Sequence, residues 1–169
     1  TPAPHMLLYH FNFGWPLVDE GTDIIWRGSW TTGDSERNQE IFREGNNFRQ
    51  CPAPMESHSG TGEAVAIIDI EADSSGQCVA GLHNARLGIA LALRFQKSQL
   101  PWLSNWQHWG KGEYVTGIEP GTHPPIGQAK AREQGNLLFI EPGESRQYDL
   151  ELELLTDATS INEFVSNYV

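Results

Sequence analysis

The chain has 169 residues and a formal net charge of −11, with 22 acidic side chains against 11 basic ones. That balance argues against nucleic acid and anionic lipid as partners, since both are held by clustered Lys and Arg. Seventeen glycines, ten prolines and six tryptophans argue against a helical bundle and against disorder, and no apolar run reaches the ~20 residues that cross a bilayer.

Most of the periodicity is two rather than 3.6. Residues 6–13 read as a first strand. Within it His10 and Asn12 alternate with Phe11 and Phe13, so they share a face, either as a compact polar pair or as the wet side of an edge strand. Residues 23–30 give a second strand. The stretch 36–44 is compatible with helix or loop. The segment 45–62 is rich in Pro, Ser and Gly and aperiodic, a long loop that either covers something or protrudes.

Strands follow at 64–71 and 77–83, the latter running into the turn-like His83-Asn84-Ala85-Arg86. In 89–95, Ile89, Leu91, Leu93 and Phe95 form one row, and Ala90, Ala92 and Arg94 the other. Small residues in the second row predict close approach by another layer or a ligand. Trp102 and Trp106 are four apart and fall on one strand face, with Trp109 on the other. Indoles either fill a core or stack on the C–H faces of sugar rings.

Residues 114–119 form an apolar strand that Glu119 closes, with Pro120 and Gly121 expected to turn the chain at once. A carboxylate so placed either stands in water or points into a cleft, where desolvation raises its pKa toward general-base use. A short strand is expected at 136–140 and another at 149–154, where Leu150, Leu152 and Leu154 alternate with carboxylates in the manner of a half-buried strand. Ser160-Ile161-Asn162-Glu163 reads as the capping box of a C-terminal helix with Ile161, Phe164, Val165 and Tyr168 as its apolar stripe.

Many short strands without strand–helix alternation predict an antiparallel all-β sandwich or barrel. Cys51 and Cys78 either pair or, as two cysteines in a chain this long make no disulfide framework, stand as two reduced thiols of a cytoplasmic protein. The six histidines show no His-x-His or His-x-x-x-His spacing, so no metal is expected. No Gly-rich phosphate loop and no Gly-x-Ser-x-Gly elbow is present, so no nucleotide cofactor or serine nucleophile is expected.

Three segments combine. Residues 7–17 (LLYHFNFGWPL), 100–106 (LPWLSNW) and 114–122 (YVTGIEPGT) resemble, in order and rough spacing, an uncharacterised aldose 1-epimerase-like family of the galactose mutarotase-like superfamily. The resemblance implies an antiparallel β-supersandwich with a short C-terminal helix and a sugar cleft. It also implies that 1–169 is the C-terminal part of a single, longer domain, with further catalytic groups in a missing N-terminal half. A chain that opens on Thr1 is expected on its own account to be processed or part of a longer one.

The family's general base, a Glu followed by Pro after a strand, matches Glu119. Its general acid is a His in a His-x-Tyr-Phe-Asn segment. Laying Phe11-Asn12 on that pattern puts Leu8 at the acid position, and His10, on the same face, becomes the acid candidate. Asn12, Trp102, Trp106, Thr122 and Arg94 are the expected substrate contacts. The implied function is interconversion of sugar anomers with no cofactor, on a small sugar, with a homodimer left open. Two alternatives stand beside it. One is a noncatalytic carbohydrate-binding sandwich. The other is an isomerase or lyase that uses the same cleft on a modified sugar, with Arg94 facing an acidic group.

Overall fold

The structure is a computed structural model and describes residues 1–168. Its strands are β1 (Ala3–His5), β2 (Phe11–Phe13), β3 (Asp23–Trp26), β4 (Gly28–Thr32), β5 (Ala64–Ile70), β6 (Gln77–Asn84), β7 (Ile89–Gln96), β8 (Trp102–Gly110), β9 (Glu113–Gly121), β10 (Leu138–Ile140) and β11 (Leu150–Leu155). The helices are α1 (Glu36–Ile41), α2 (Gln128–Glu133) and α3 (Ala158–Tyr168).

All pairings are antiparallel. One sheet runs β2-β9-β8-β5-β4 and the other β11-β7-β6-β3, while β1 and β10 make a separate ribbon. The all-β antiparallel sandwich with a short C-terminal helix is therefore present.

Alternation builds the core. Every second residue of the five-stranded sheet turns inward, giving Ile68, Leu103, Trp109 and Ile118. The facing row of the four-stranded sheet gives Ile24, Trp26, Leu82, Leu93 and Phe95. All nine are 2% exposed or less. Burial of side chains this size contributes about 1.5–3 kcal/mol each, which makes this layer the main stabilising term.

The row containing Ala90 and Ala92 is covered by α3, through Ile161 and Phe164. The layer inferred from those small residues is this helix. A Cβ on Gly81 would meet Phe164 Cζ at 2.9 Å, so the small row is what lets the helix settle.

Several local expectations are corrected. The expected strand 23–30 breaks at Arg27, and the chain passes from one sheet to the other: β3 pairs with β6, whereas β4 pairs with β5. Gly28 makes the crossing, with φ +145° and its Cα so close to Asp69 and Ile70 that no Cβ fits. Of the expected strand 6–13 only its end forms, as β2, with Leu8 making an isolated bridge to Gly121 ahead of it; β1 lies before the expected stretch. Glu119 does not close its strand, because β9 continues through Pro120 to Gly121.

The C-terminal helix starts earlier than the capping box suggested. Asp157 is the cap, its Oδ1 accepting from the Ser160 N–H at 2.9 Å. In β11, the edge strand of its sheet, Leu152 and Leu154 share a face with core residues Leu93 and Leu91 but stay 49% and 58% exposed. The stretch 36–44 resolves into α1, capped by Ser35, whose hydroxyl accepts from the Asn38 N–H.

The loop 45–62 covers the core. Phe48 packs on Trp26, Trp30 and Phe42, and Cys51 and His58 are buried. Cys51 and Cys78 are unpaired buried thiols. Among the described residues no helix is long and apolar enough to cross a membrane.

Candidate active site

The face of the five-stranded sheet turned away from the core carries Asn12, Glu119, Ser104 and Asp69. Antiparallel register aligns them in rows across the strands, because directly paired residues point the same way. One row is Asn12, Gly117, Trp106 and Val65. The next is Glu119, Ser104, Ile67 and Thr31, and the third is Gly121, Trp102, Asp69 and Ser29. Glu119 thus sits between two rows that each pair an indole with a glycine. Trp102 and Trp106 are four strand residues apart, or about 13 Å.

His10 enters from the segment before β2. Its Nδ1 lies 3.0 Å from Glu119 Oε1 and 3.2 Å from Asn12 Oδ1. The two side chains differ in exposure, His10 at 59% and Glu119 at 4%. The Nδ1 is aligned on Asn12, so Glu119 Oε1 is close to it yet buried without a hydrogen bond. Burial pushes the Glu119 carboxyl up to about 7; the nearby imidazole of His10 opposes the shift and the charge of Glu63 adds to it. A carboxyl with that pKa is half ionised at neutral pH, where a general base works best.

Sequence alternation explains why these groups meet. Glu119 and Gly117 are two apart on β9, so the carboxyl folds back over the missing side chain. A Cβ on Gly117 would lie 3.0 Å from Glu119 Cδ, closer still to Oε1, and 3.2 Å from Asn12 Oδ1. On the core side of the same strands the Asn105 amide donates to Gly117 O at 3.0 Å and to Thr116 Oγ1 at 3.1 Å, and its carbonyl accepts from Gln107 at 2.8 Å. This buried network ties β8 to β9 beneath the site. Trp106 is held by its Nε1–H, which donates to Glu63 Oε2 at 2.8 Å.

Of the residues expected from sequence, the structure brings Glu119, His10 and Asn12 into contact and places Trp102 and Trp106 on the same face. It leaves two outside. Arg94 lies on the other sheet, on the side covered by α3, bonded to Glu151 at 3.2 Å and Glu153 at 2.5 Å. Its strand parity put it with Ala90 and Ala92, and what covers that row is a helix rather than a ligand. Thr122 is buried and serves the backbone of Leu7, accepting from its N–H at 3.1 Å and donating to its carbonyl at 3.4 Å.

Sequence reasoning assigns no role to Gly117, Ser104 or Glu63. Period two would have found the first two, since Gly117 stands two before Glu119 and Ser104 stands between the two indoles. Glu63 follows from no local pattern.

A family model described as "Domain of unknown function (DUF4432)" matches residues 1–154. No curated protein matches the chain. A crystal structure of a putative aldose 1-epimerase from Klebsiella pneumoniae subsp. pneumoniae is similar over 98% of this chain, with a TM-score of 0.85 and 27% identity. The chain spans 42% of the length of that protein.

Proposed function

The chain belongs to the DUF4432 family, and we propose that it carries the acid–base pair of an aldose 1-epimerase-like enzyme acting on a small sugar. The observation behind this reading is the contact between His10 and the buried Glu119 on the sheet face turned away from the core, with the carboxyl pKa raised to about 7. The similarity to a protein described as a putative aldose 1-epimerase supports it.

The chemistry needs one base and one acid. Ionised Glu119 takes the proton from the anomeric hydroxyl, and that oxygen becomes a carbonyl as the bond from C1 to the ring oxygen breaks. His10, as imidazolium, gives its proton to the ring oxygen. The free aldehyde rotates, and the reverse transfers close the ring on the other face. The two oxygens share one carbon and lie closer together than a hydrogen bond is long, so an acid and a base in contact suit them. Each positioned group contributes typically 10²–10⁴-fold. The indoles of Trp102 and Trp106 would wall the site, offering flat faces to the C–H side of a ring.

Anomer exchange followed by NMR on the whole natural protein tests this, with wild type compared to Glu119→Gln across a panel of aldoses. The expected result is saturable exchange that the substitution reduces at least 100-fold. Sugar binding with no exchange would replace the reading with a noncatalytic carbohydrate-binding sandwich.

A further inference from the structure

We propose that Asn12 is a positioning residue: with Glu119 it holds His10 with the proton on Nδ1, so that Nε2 is the nitrogen that exchanges a proton with the substrate. This rests on the reading above, and it replaces the sugar contact that the sequence suggested for Asn12. The argument begins with the two oxygens around Nδ1, Asn12 Oδ1 at 3.2 Å and Glu119 Oε1 at 3.0 Å. Both are acceptors when the carboxyl is ionised. A bare Nδ1 would set its lone pair against theirs, whereas a protonated Nδ1 donates to Asn12 and lies beside a carboxylate. The base-competent state of Glu119 therefore selects the Nδ1–H form.

Access leads to the same assignment. Glu119 Oε1 is sealed, and Nδ1 is turned onto Asn12 and Glu119. The ring as a whole is 59% exposed, which leaves Nε2 as the nitrogen free to meet a ligand. In the acid role the imidazolium loses the Nε2 proton to the ring oxygen and is left as the Nδ1–H neutral form. Asn12 then does for His10 what an orienting group does for any catalytic imidazole: it fixes tautomer and ring plane from the far nitrogen. Asn12 can act on His10 in this way because His10, just ahead of β2, stands within hydrogen-bond reach of its Oδ1. Gly117 across the strand contributes no side chain to crowd Asn12 Oδ1.

The test is the tautomer of His10 in whole protein labelled with ¹⁵N-histidine, read from the ring nitrogen shifts and couplings above pH 8, with His10→Gln to assign the signals. The expected result is Nδ1–H in wild type. Asn12→Leu should raise the share of Nε2–H, with the Glu119 carboxylate keeping part of the Nδ1–H form, and lower kcat about tenfold while KM stays within twofold. Asn12→Asp, which keeps an acceptor, should restore both the tautomer and most of kcat. A His10 in the Nε2–H form in wild type, or one unmoved by Asn12→Leu, overturns the proposal. The tautomer needs no turnover to be read, so the two ideas fail separately. Nδ1–H with no anomer exchange sinks the epimerase reading, and Glu119-dependent exchange with Nε2–H sinks this one.

Discussion

Gly117→Ala isolates the placement of the base from its identity. The glycine does not sit at positive φ, so alanine suits the backbone of β9. The cost falls on the carboxyl. The new methyl would stand 3.0 Å from Glu119 Cδ and nearer to Oε1, whereas ordinary contact begins at 3.4 Å. The carboxylate has to withdraw by about 1 Å, a displacement that typically costs on the order of 100-fold in rate, or about 2.7 kcal/mol of transition-state stabilisation. The expected outcome is kcat reduced about 100-fold in the NMR anomer-exchange assay, with the melting temperature within a few degrees of wild type. In a Glu119→Gln background the same methyl should cost little more, because groups acting as a unit are not additive. Activity above half of wild type, or a full further 100-fold loss in the double variant, would refute the idea that Gly117 acts by cradling Glu119.

Three further outcomes follow from the geometry. Burial raises the Glu119 pKa from 4.5 to about 7, so folding favours the protonated form; this contribution is full below pH 4.5 and lost as pH rises through 7. Glu119→Gln should therefore raise the melting temperature at pH 8 and leave it unchanged at pH 4, as thermal melts across pH would show. Arg94→Ala should leave sugar affinity and kcat/KM within twofold by titration and steady-state kinetics, because the side chain is committed to Glu151 and Glu153 on the far sheet. Phe164→Ala should destabilise by about 3–5 kcal/mol in urea unfolding, because it empties the space between α3 and the small row of β7.

Much of the fold is legible in the sequence because alternation survives in it. The rows of Ile89 to Phe95 and of Trp102 to Trp109 appear in the structure on the faces their spacing dictates. The partition into two sheets was not legible, because it turns on one glycine. Residues 23–30 read as one strand until the approach of Asp69 and Ile70 to Gly28 shows where the chain changes layers. The Leu row of 150–154 carried the signal of burial without the information that its strand lies at an edge.

At the site, the pairing of His10 with Asn12 was legible through their two-residue spacing, and Glu119 through its Ile-Glu-Pro setting. Their meeting depends on the register of β2 against β9, which local pattern does not carry. Arg94 and Thr122 were plausible as types, and the structure places both away from the contact of His10, Asn12 and Glu119. One belongs to a helix-covered face and the other to the backbone of Leu7.

The central claim is that His10 and Glu119 act as one acid–base pair on a sugar, and the pH dependence of anomer exchange by the whole natural protein tests it most directly. The account predicts an acid limb with a midpoint at about 7, set by the buried carboxyl, and its disappearance together with at least a 100-fold loss of rate in Glu119→Gln. A limb near the ordinary carboxylate value of 4.5, or a variant as fast as wild type, would contradict it.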